Sequence, residues 1–189
     1  MESKLIDVPN NELDEVINKN IEKSEKIIIV VSFLFERGLE LIFDKLKKFH
    51  NPSNITIITS NYLNSTEPNA LRKLIDLKSL GSKIYMFDSV GSKENFHIKS
   101  YYFENKDNDF YNSIIGSSNI SFSAFRLSHE LNIETKDKKI CKEHCEKMLN
   151  FLSHPNLLEL TNKVIDDYEK IYDESKNLFR KFEDEKDDD

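Results

Sequence analysis

The runs F-H-I-K-S-Y-Y-F-E (Phe96–Glu104), I-I-G-S-S-N-I-S (Ile114–Ser121) and S-H-E-L-N-I-E (Ser128–Glu134) decide how this chain is read. The first is apolar and aromatic, and predicts a strand over Phe96–Phe103. Side chains two apart on a strand share a face, so His97 and Lys99 point one way and Phe96 and Ile98 the other. The second run closes a strand-like segment, Phe110–Ile115, at Gly116, where a residue without Cβ permits close approach of backbone and ligand. Ser117, Ser118 and Asn119 follow as short hydrogen-bonding groups, and Glu130 stands eleven residues after Asn119. Such a set suits an anionic, slowly hydrolysed phosphodiester. Its site must neutralise oxygen charge, supply a nucleophile and protonate a leaving oxygen.

His-x-Lys alone carries little information, since composition yields about 0.6 such triplets by chance, whereas Gly-Ser-x-Asn is expected only about 0.04 times. Their joint occurrence at the ends of neighbouring strand-like runs is the informative event.

Working outward, Asn10–Ser24 reads as a helix with Leu13, Val16, Ile17 and Ile21 on one face. Lys26–Phe35 and Asn54–Tyr62 are continuous apolar runs, as in strands buried on both faces. Arg37–Phe49 returns to helical spacing, and Thr66-Glu-Pro-Asn opens another helix that Gly81 ends. Ser82–Phe87 is a third strand and Ser89–Asn95 a polar loop. Phe96–Phe103 and Phe110–Ile115 suit an antiparallel hairpin across the turn-rich 104–109 segment. A short strand around Ile133 and a helix over Lys138–Leu152 follow. Strand–helix alternation and then a hairpin predict an α/β fold, a mixed β-sheet sandwiched by helices. Residues 1–155 form its body, residues 156–182 a C-terminal helical extension with one long helix from Leu157, and residues 183–189 an acidic disordered tail.

The 189 residues suffice for one full core, and no run reaches the length needed to span a bilayer. The polar, acidic N-terminus does not resemble a secretory leader, and two cysteines without a pairing pattern fit a reducing cytoplasm. Net charge is −7. Residues 159–189 hold 6 basic against 12 acidic side chains, so nearly all the excess sits in the tail. The near-neutral body is compatible with a local basic groove for a polyanion. Cys141, His144, Cys145 and His154 lack a matching second ligand pair, and such cysteines more often pack as small apolar residues than hold zinc.

At His97, Lys99, Gly116, Ser117, Asn119 and Glu130 the sequence resembles the phospholipase D superfamily. That family's motif is His-x-Lys, an acidic residue, Gly-Ser-x-Asn and a later Glu. Its usual Asp, five residues after the Lys, is Glu104 here. Val31–Leu46 and Thr59–Leu74 resemble the subgroup fused to DEAD/DEAH-type helicases, whose single-motif relatives include metal-independent restriction endonucleases. The resemblance spans roughly residues 10–135.

It implies a phospholipase D-like fold and a metal-independent phosphodiesterase or endonuclease acting on DNA, with no cofactor. His97 is the implied nucleophile, forming a phosphohistidine, and a second His97 from a partner subunit serves as acid and base. Lys99 and Asn119 are the implied donors to phosphoryl oxygens, Glu130 holds the imidazole tautomer, and Ser117 assists in positioning. Gly116, Ser118 and Arg126 are the implied substrate contacts. One motif copy per chain implies a homodimer, and a helicase or restriction system is the implied partner. A second reading stays open, a binding or regulatory module that keeps the fold without turnover. A lipid hydrolase is disfavoured, because the chain has neither a membrane span nor a basic amphipathic helix.

Overall fold

A computed structural model describes residues 3–187, with side chains through residue 177. Among the described residues, eight strands form one mixed sheet in the order β1-β7-β6-β5-β2-β3-β4-β8. In chain order these are β1 (Ser3–Val8), β2 (Lys26–Val31), β3 (Ile55–Ser60), β4 (Lys83–Phe87), β5 (Lys99–Asn105), β6 (Phe110–Gly116), β7 (Glu130–Thr135) and β8 (Leu157–Glu159). The helices are α1 (Leu13–Ile21), α2 (Glu36–Lys47), α3 (Pro68–Ser79), α4 (Ser89–Ser92), α5 (Phe122–Arg126), α6 (Lys138–Asn150) and α7 (Asn162–Asp187).

The apolar runs of β2 and β3 become the sheet's centre, paired parallel from Ile27↔Ile55 to Val30↔Ile58. Both strands are buried from end to end apart from the first residue of β2, as strands covered on two faces require. One face packs Ile27, Ile29, Leu39, Leu71, Leu74, Tyr101 and Ile114 with the α1, α2, α3 and α7 side of the molecule. The other face, under α6, packs Ile28, Val30, Ile58, Phe96, Tyr102, Cys141 and Met148. Gly81 closes α3 at φ +112°, the left-handed turn expected after a helix end. β5 and β6 form the expected antiparallel hairpin, in register Ser100↔Ile115 to Asn105↔Phe110.

Three elements differ from the sequence expectation. Ser3–Val8 is an edge strand, paired antiparallel with β7 from Ser3↔Thr135 to Val8↔Glu130. Its pattern alternates only over Ile6 and Val8, too short to announce itself. The stretch expected to be one helix from Leu157 begins instead as β8, which pairs Leu157↔Phe87 and Glu159↔Tyr85 and covers the open edge of β4. The chain then buries Leu160, and Thr161 Oγ1 accepts from Val164 N at 3.2 Å to start α7. Thr66, expected to cap α3, instead donates to Ser60 O at 2.6 Å, tying the loop to the end of β3. The acidic tail expected over residues 183–189 has its side chains outside the described residues. No helix among the described residues is long and apolar enough to cross a membrane.

The topology places the chemistry. β2, β3 and β4 run parallel with their C-terminal ends together, and β5 and β7 begin, while β6 ends, along that same border. A ligand site at the carboxyl ends of parallel strands is the usual consequence of such a sheet.

Candidate active site

His97 lies just outside β5, in the approach to it, with Phe96 and Ile98 turned into the lower core. The predicted alternation therefore holds although the strand starts two residues later, at Lys99. Ser32 fixes this approach twice: its amide donates to Ile98 O at 2.8 Å and its hydroxyl donates to the same oxygen at 3.1 Å. The imidazole is exposed and stands edge-on to the rings of Phe33 and Tyr62, with centroids 6.0 and 6.1 Å away. Desolvation beside these rings, and then the charge of Lys99, hold its pKa below the ordinary 6.5. The ring is therefore neutral near pH 7, the form that carries a nucleophilic lone pair.

Lys99 is 6% exposed. Its ammonium donates to His97 O at 3.3 Å and sits 5.8 Å from the centre of the Phe33 ring. Burial pushes its pKa below 10.5, and the carboxylate of Glu130 pulls the other way. This is a buried cation held by one carbonyl and one ring face, and a phosphoryl oxygen brought beside it gains much from it.

The Gly-Ser-Ser-Asn segment is built by β6 meeting β7. A Cβ on Gly116 would lie 2.5 Å from Leu131 O and 2.6 Å from Asn132 Cα. The glycine thus admits the neighbouring strand, so the close approach expected of it is to backbone. Ser117 is bonded to that strand: its amide donates to Leu131 O at 3.2 Å, Leu131 N donates to its Oγ at 3.1 Å, and the Oγ donates to the Glu130 carboxylate. Ser118 is fully buried. Asn132 Nδ2 donates to its hydroxyl at 2.8 Å, and Tyr101 OH donates to its carbonyl at 2.9 Å. Asn119 Oδ1 accepts from Phe33 N at 3.0 Å. A backbone amide can only donate, so this bond fixes the flip of Asn119 and leaves its NH₂ for an acceptor elsewhere. Phe35 N donates to Ile120 O at 2.9 Å, clipping the segment to the start of α2.

His97, Lys99, Ser117, Asn119 and Glu130 therefore come to one border of the sheet. Glu130 is tied to Ser117 and acts on Lys99. Among the described residues no hydrogen bond joins it to His97, so within one chain it does not hold the imidazole tautomer as expected. Two expected substrate contacts are committed elsewhere. Ser118 faces the interior. Arg126 is locked bidentate to Asp14 at 3.2 and 2.7 Å, with Glu12 at 3.4 Å, because α5 packs on α1. Glu104 sits at the far end of β5, 5% exposed and 3.7 Å from Lys26, an anchor remote from the cleft.

Sequence reasoning missed Phe33 and Tyr62. Each lies just past a buried apolar run and a Ser (Val31-Ser32-Phe33 and Ser60-Asn61-Tyr62), a signal visible in the chain. The Cys141 and Cys145 thiols are buried, with Cys141 Sγ donating to Thr135 O at 3.3 Å. His154 lies against Phe87, on another part of the fold.

Residues 17–152 match the family described as cardiolipin synthase, PLD-like domain. A search of curated proteins finds no match. Among solved structures, the fold resembles NucT from Helicobacter pylori, with TM-score 0.64 and 16% identity, over 84% of this chain and 98% of that one. It also resembles Nuc from Salmonella typhimurium, a phospholipase D family member, with TM-score 0.59 and 12% identity, over 79% and 92%. Phosphatidylserine synthase from Haemophilus influenzae Rd KW20 aligns over 99% of this chain but 46% of its own, with TM-score 0.66 and 16% identity. At these identities the likeness is one of fold.

Proposed function

This chain belongs to the phospholipase D-like family, and from that premise we propose that it is a metal-independent endonuclease-type phosphodiesterase, cleaving DNA through a covalent phosphohistidine shared by a homodimer. The observation that carries the reading is the exposed imidazole of His97 set beside the buried ammonium of Lys99 and the NH₂ of Asn119. Those two donors suit the non-bridging oxygens of a phosphodiester whose phosphorus faces the ring.

In the first step a neutral His97 nitrogen bonds to phosphorus as one P–O ester bond breaks. The departing oxygen takes a proton from the same histidine in a second copy, whose ring the negative charge of the bound phosphodiester keeps protonated. That second imidazole, now neutral, removes a proton from water. The resulting hydroxide attacks phosphorus, the N–P bond breaks, and His97 is restored. Lys99 and Asn119 donate to the phosphoryl oxygens throughout. Ser117 and Glu130 hold the Gly-Ser-Ser-Asn segment and keep a carboxylate facing Lys99.

A second copy fits beside the site. Ile115, Ile133 and Leu5 lie side by side across β6, β7 and β1, with Leu131 next along β7. All four are exposed, forming an apolar sheet face that begins at Gly116 and Glu130. Covering this face with its own copy brings two motifs toward one two-fold axis.

The test is incubation with single- and double-stranded DNA in EDTA. Wild type cleaves undiminished, while His97→Ala and Lys99→Ala lower the rate by about 10³-fold or more. Activity that disappears in EDTA and returns with Mg²⁺ overturns the mechanism. DNA binding without cleavage by wild type selects the binding-module reading instead.

A further inference from the structure

Resting on the nuclease reading above, we infer that Tyr62, backed by Phe33, is the surface on which the nucleobase beside the scissile phosphate stacks. The two rings are nearly parallel, 8° apart with centroids at 6.0 Å, and the His97 ring stands across both at 73° and 71°. Neither ring is fully buried. Phe33 belongs to neither apolar core, and the Lys99 ammonium stands over its ring. Tyr62 rests partly on the core beneath α6 and keeps part of its surface exposed beside His97. Both rings thus leave part of their surface open next to the nucleophile. A flat ring kept half-open against the nucleophile has a use for its face.

The backbone around Tyr62 is held in a form its residues rarely adopt. Leu63 and Asn64 both have left-handed φ, +54° and +48°, without glycine, and Leu63 is 66% exposed. Surrounding bonds enforce this turn. Asn61 donates through Nδ2 to Asp88 at 2.8 Å, while its Oδ1 accepts from Ser89 N at 2.7 Å and Val90 N at 3.1 Å. On the other side, Asn64 Nδ2 donates to Ser175 Oγ at 2.8 Å, and Tyr168 OH donates to Thr66 O at 2.8 Å. An exposed turn strained at two successive residues and tied from both sides fixes the Tyr62 ring relative to His97.

The chemistry of the occupant follows. A phosphodiester at His97 has a sugar on each side, and in a nucleic acid the next group outward is a planar base. Stacking of a base on an aromatic ring is tolerant of sequence, because every base presents a π-face. A lipid phosphodiester offers no such plane, so a stacking wall selects nucleic acid within the phosphodiester class. It also favours substrates whose bases are unstacked from one another.

The experiment measures binding of matched single-stranded oligonucleotides in which the central linkage is an uncleavable methylenephosphonate. One carries bases on both flanking sugars and the other carries abasic sugars there. Wild type is expected to prefer the base-bearing oligonucleotide by about 5- to 100-fold. Tyr62→Ala and Tyr62→Leu should bring that ratio near one, with Leu keeping the apolar packing in case Ala unfolds. Tyr62→Phe should retain the preference. Equal binding of the two oligonucleotides by wild type overturns the proposal. So does a Tyr62→Leu protein that keeps the preference. Because the readout is binding, a wild type that binds with this preference but cleaves nothing would refute the nuclease mechanism and leave the stacking site standing.

Discussion

Gly116 shows how much of the site is decided by one missing carbon. The residue is the hinge of the Gly-Ser-Ser-Asn segment, and its neighbour on β7 occupies the volume that any Cβ would need. Replacing it with Ala requires the β6–β7 pair to move apart, breaking the alignment of Ser117 with Leu131 N and Glu130. Over-packing of this kind in a closed structure costs about 2–3 kcal/mol. Chemical denaturation of Gly116→Ala should show that loss as a lower midpoint with an unchanged slope. A midpoint equal to wild type would mean the strands part freely there. Gly38 obeys the same logic at a place sequence reading passed over. A Cβ there would lie 2.5 Å from Ser121 N, so α2 seats directly on the backbone that leaves the motif.

At the scale of elements, α6 covers the lower face with a histidine where an apolar residue would be simpler. The His144 Nδ1 lies 2.9 Å from Ser113 Oγ, its Nε2 is buried without a partner, and its ring stands edge-on to Tyr102 at 6.3 Å. Lys26 borders this layer, its ammonium reaching Cys145 Sγ at 3.5 Å and the Tyr102 ring at 5.9 Å, and Lys138 and Lys142 stand over its Tyr111 ring at 5.0 and 5.6 Å. Burial pushes the imidazole from the ordinary 6.5 down to about 4. Between those values the unfolded chain holds a proton that the folded protein refuses, so this contribution is intact above pH 6.5 and lost as pH falls toward 4. The loss amounts to about 3 kcal/mol. Denaturation curves should therefore weaken steeply between pH 6.5 and 4, and His144→Leu should flatten that slope. An unchanged slope in His144→Leu would assign the acid sensitivity elsewhere.

For the whole molecule the exposed face of β1, β7 and β6 is the unresolved packing problem. Leu5, Ile115, Leu131 and Ile133 are 65, 38, 55 and 43% exposed on one side of the sheet, while Ile6, Val8 and Ile114 on the other side are buried. α6 covers the centre of that face, over β6, β5 and β2, and leaves these four side chains open. Sedimentation of wild type should give twice the chain mass. Ile133→Lys should give the chain mass, with a melting temperature near wild type and cleavage lost, since a two-histidine reaction needs both copies. A wild type that stays monomeric at micromolar concentration would refute the shared site.

The sequence determined on its own whatever depends on local pattern. The long apolar runs of β2 and β3 can only be buried strands, the hairpin carries His97 and Asn119 to one border, and Gly81 must end a helix. His97, Lys99, Gly116, Ser117 and Asn119 were legible because their spacing in the chain is itself the signal. What the tertiary structure decided depends on partners far away in sequence. Ser118 turns inward because Asn132 and Tyr101 meet it, and Arg126 is taken by Asp14 because α5 lands on α1. Leu157–Glu159 becomes a strand because β4 leaves an edge to cover, and residues 3–8 do so because β7 does. Phe33 and Tyr62 reach His97 only when two parallel strands end side by side. A side chain's neighbours are set by strand order and register, and neither is written in any short stretch of the chain.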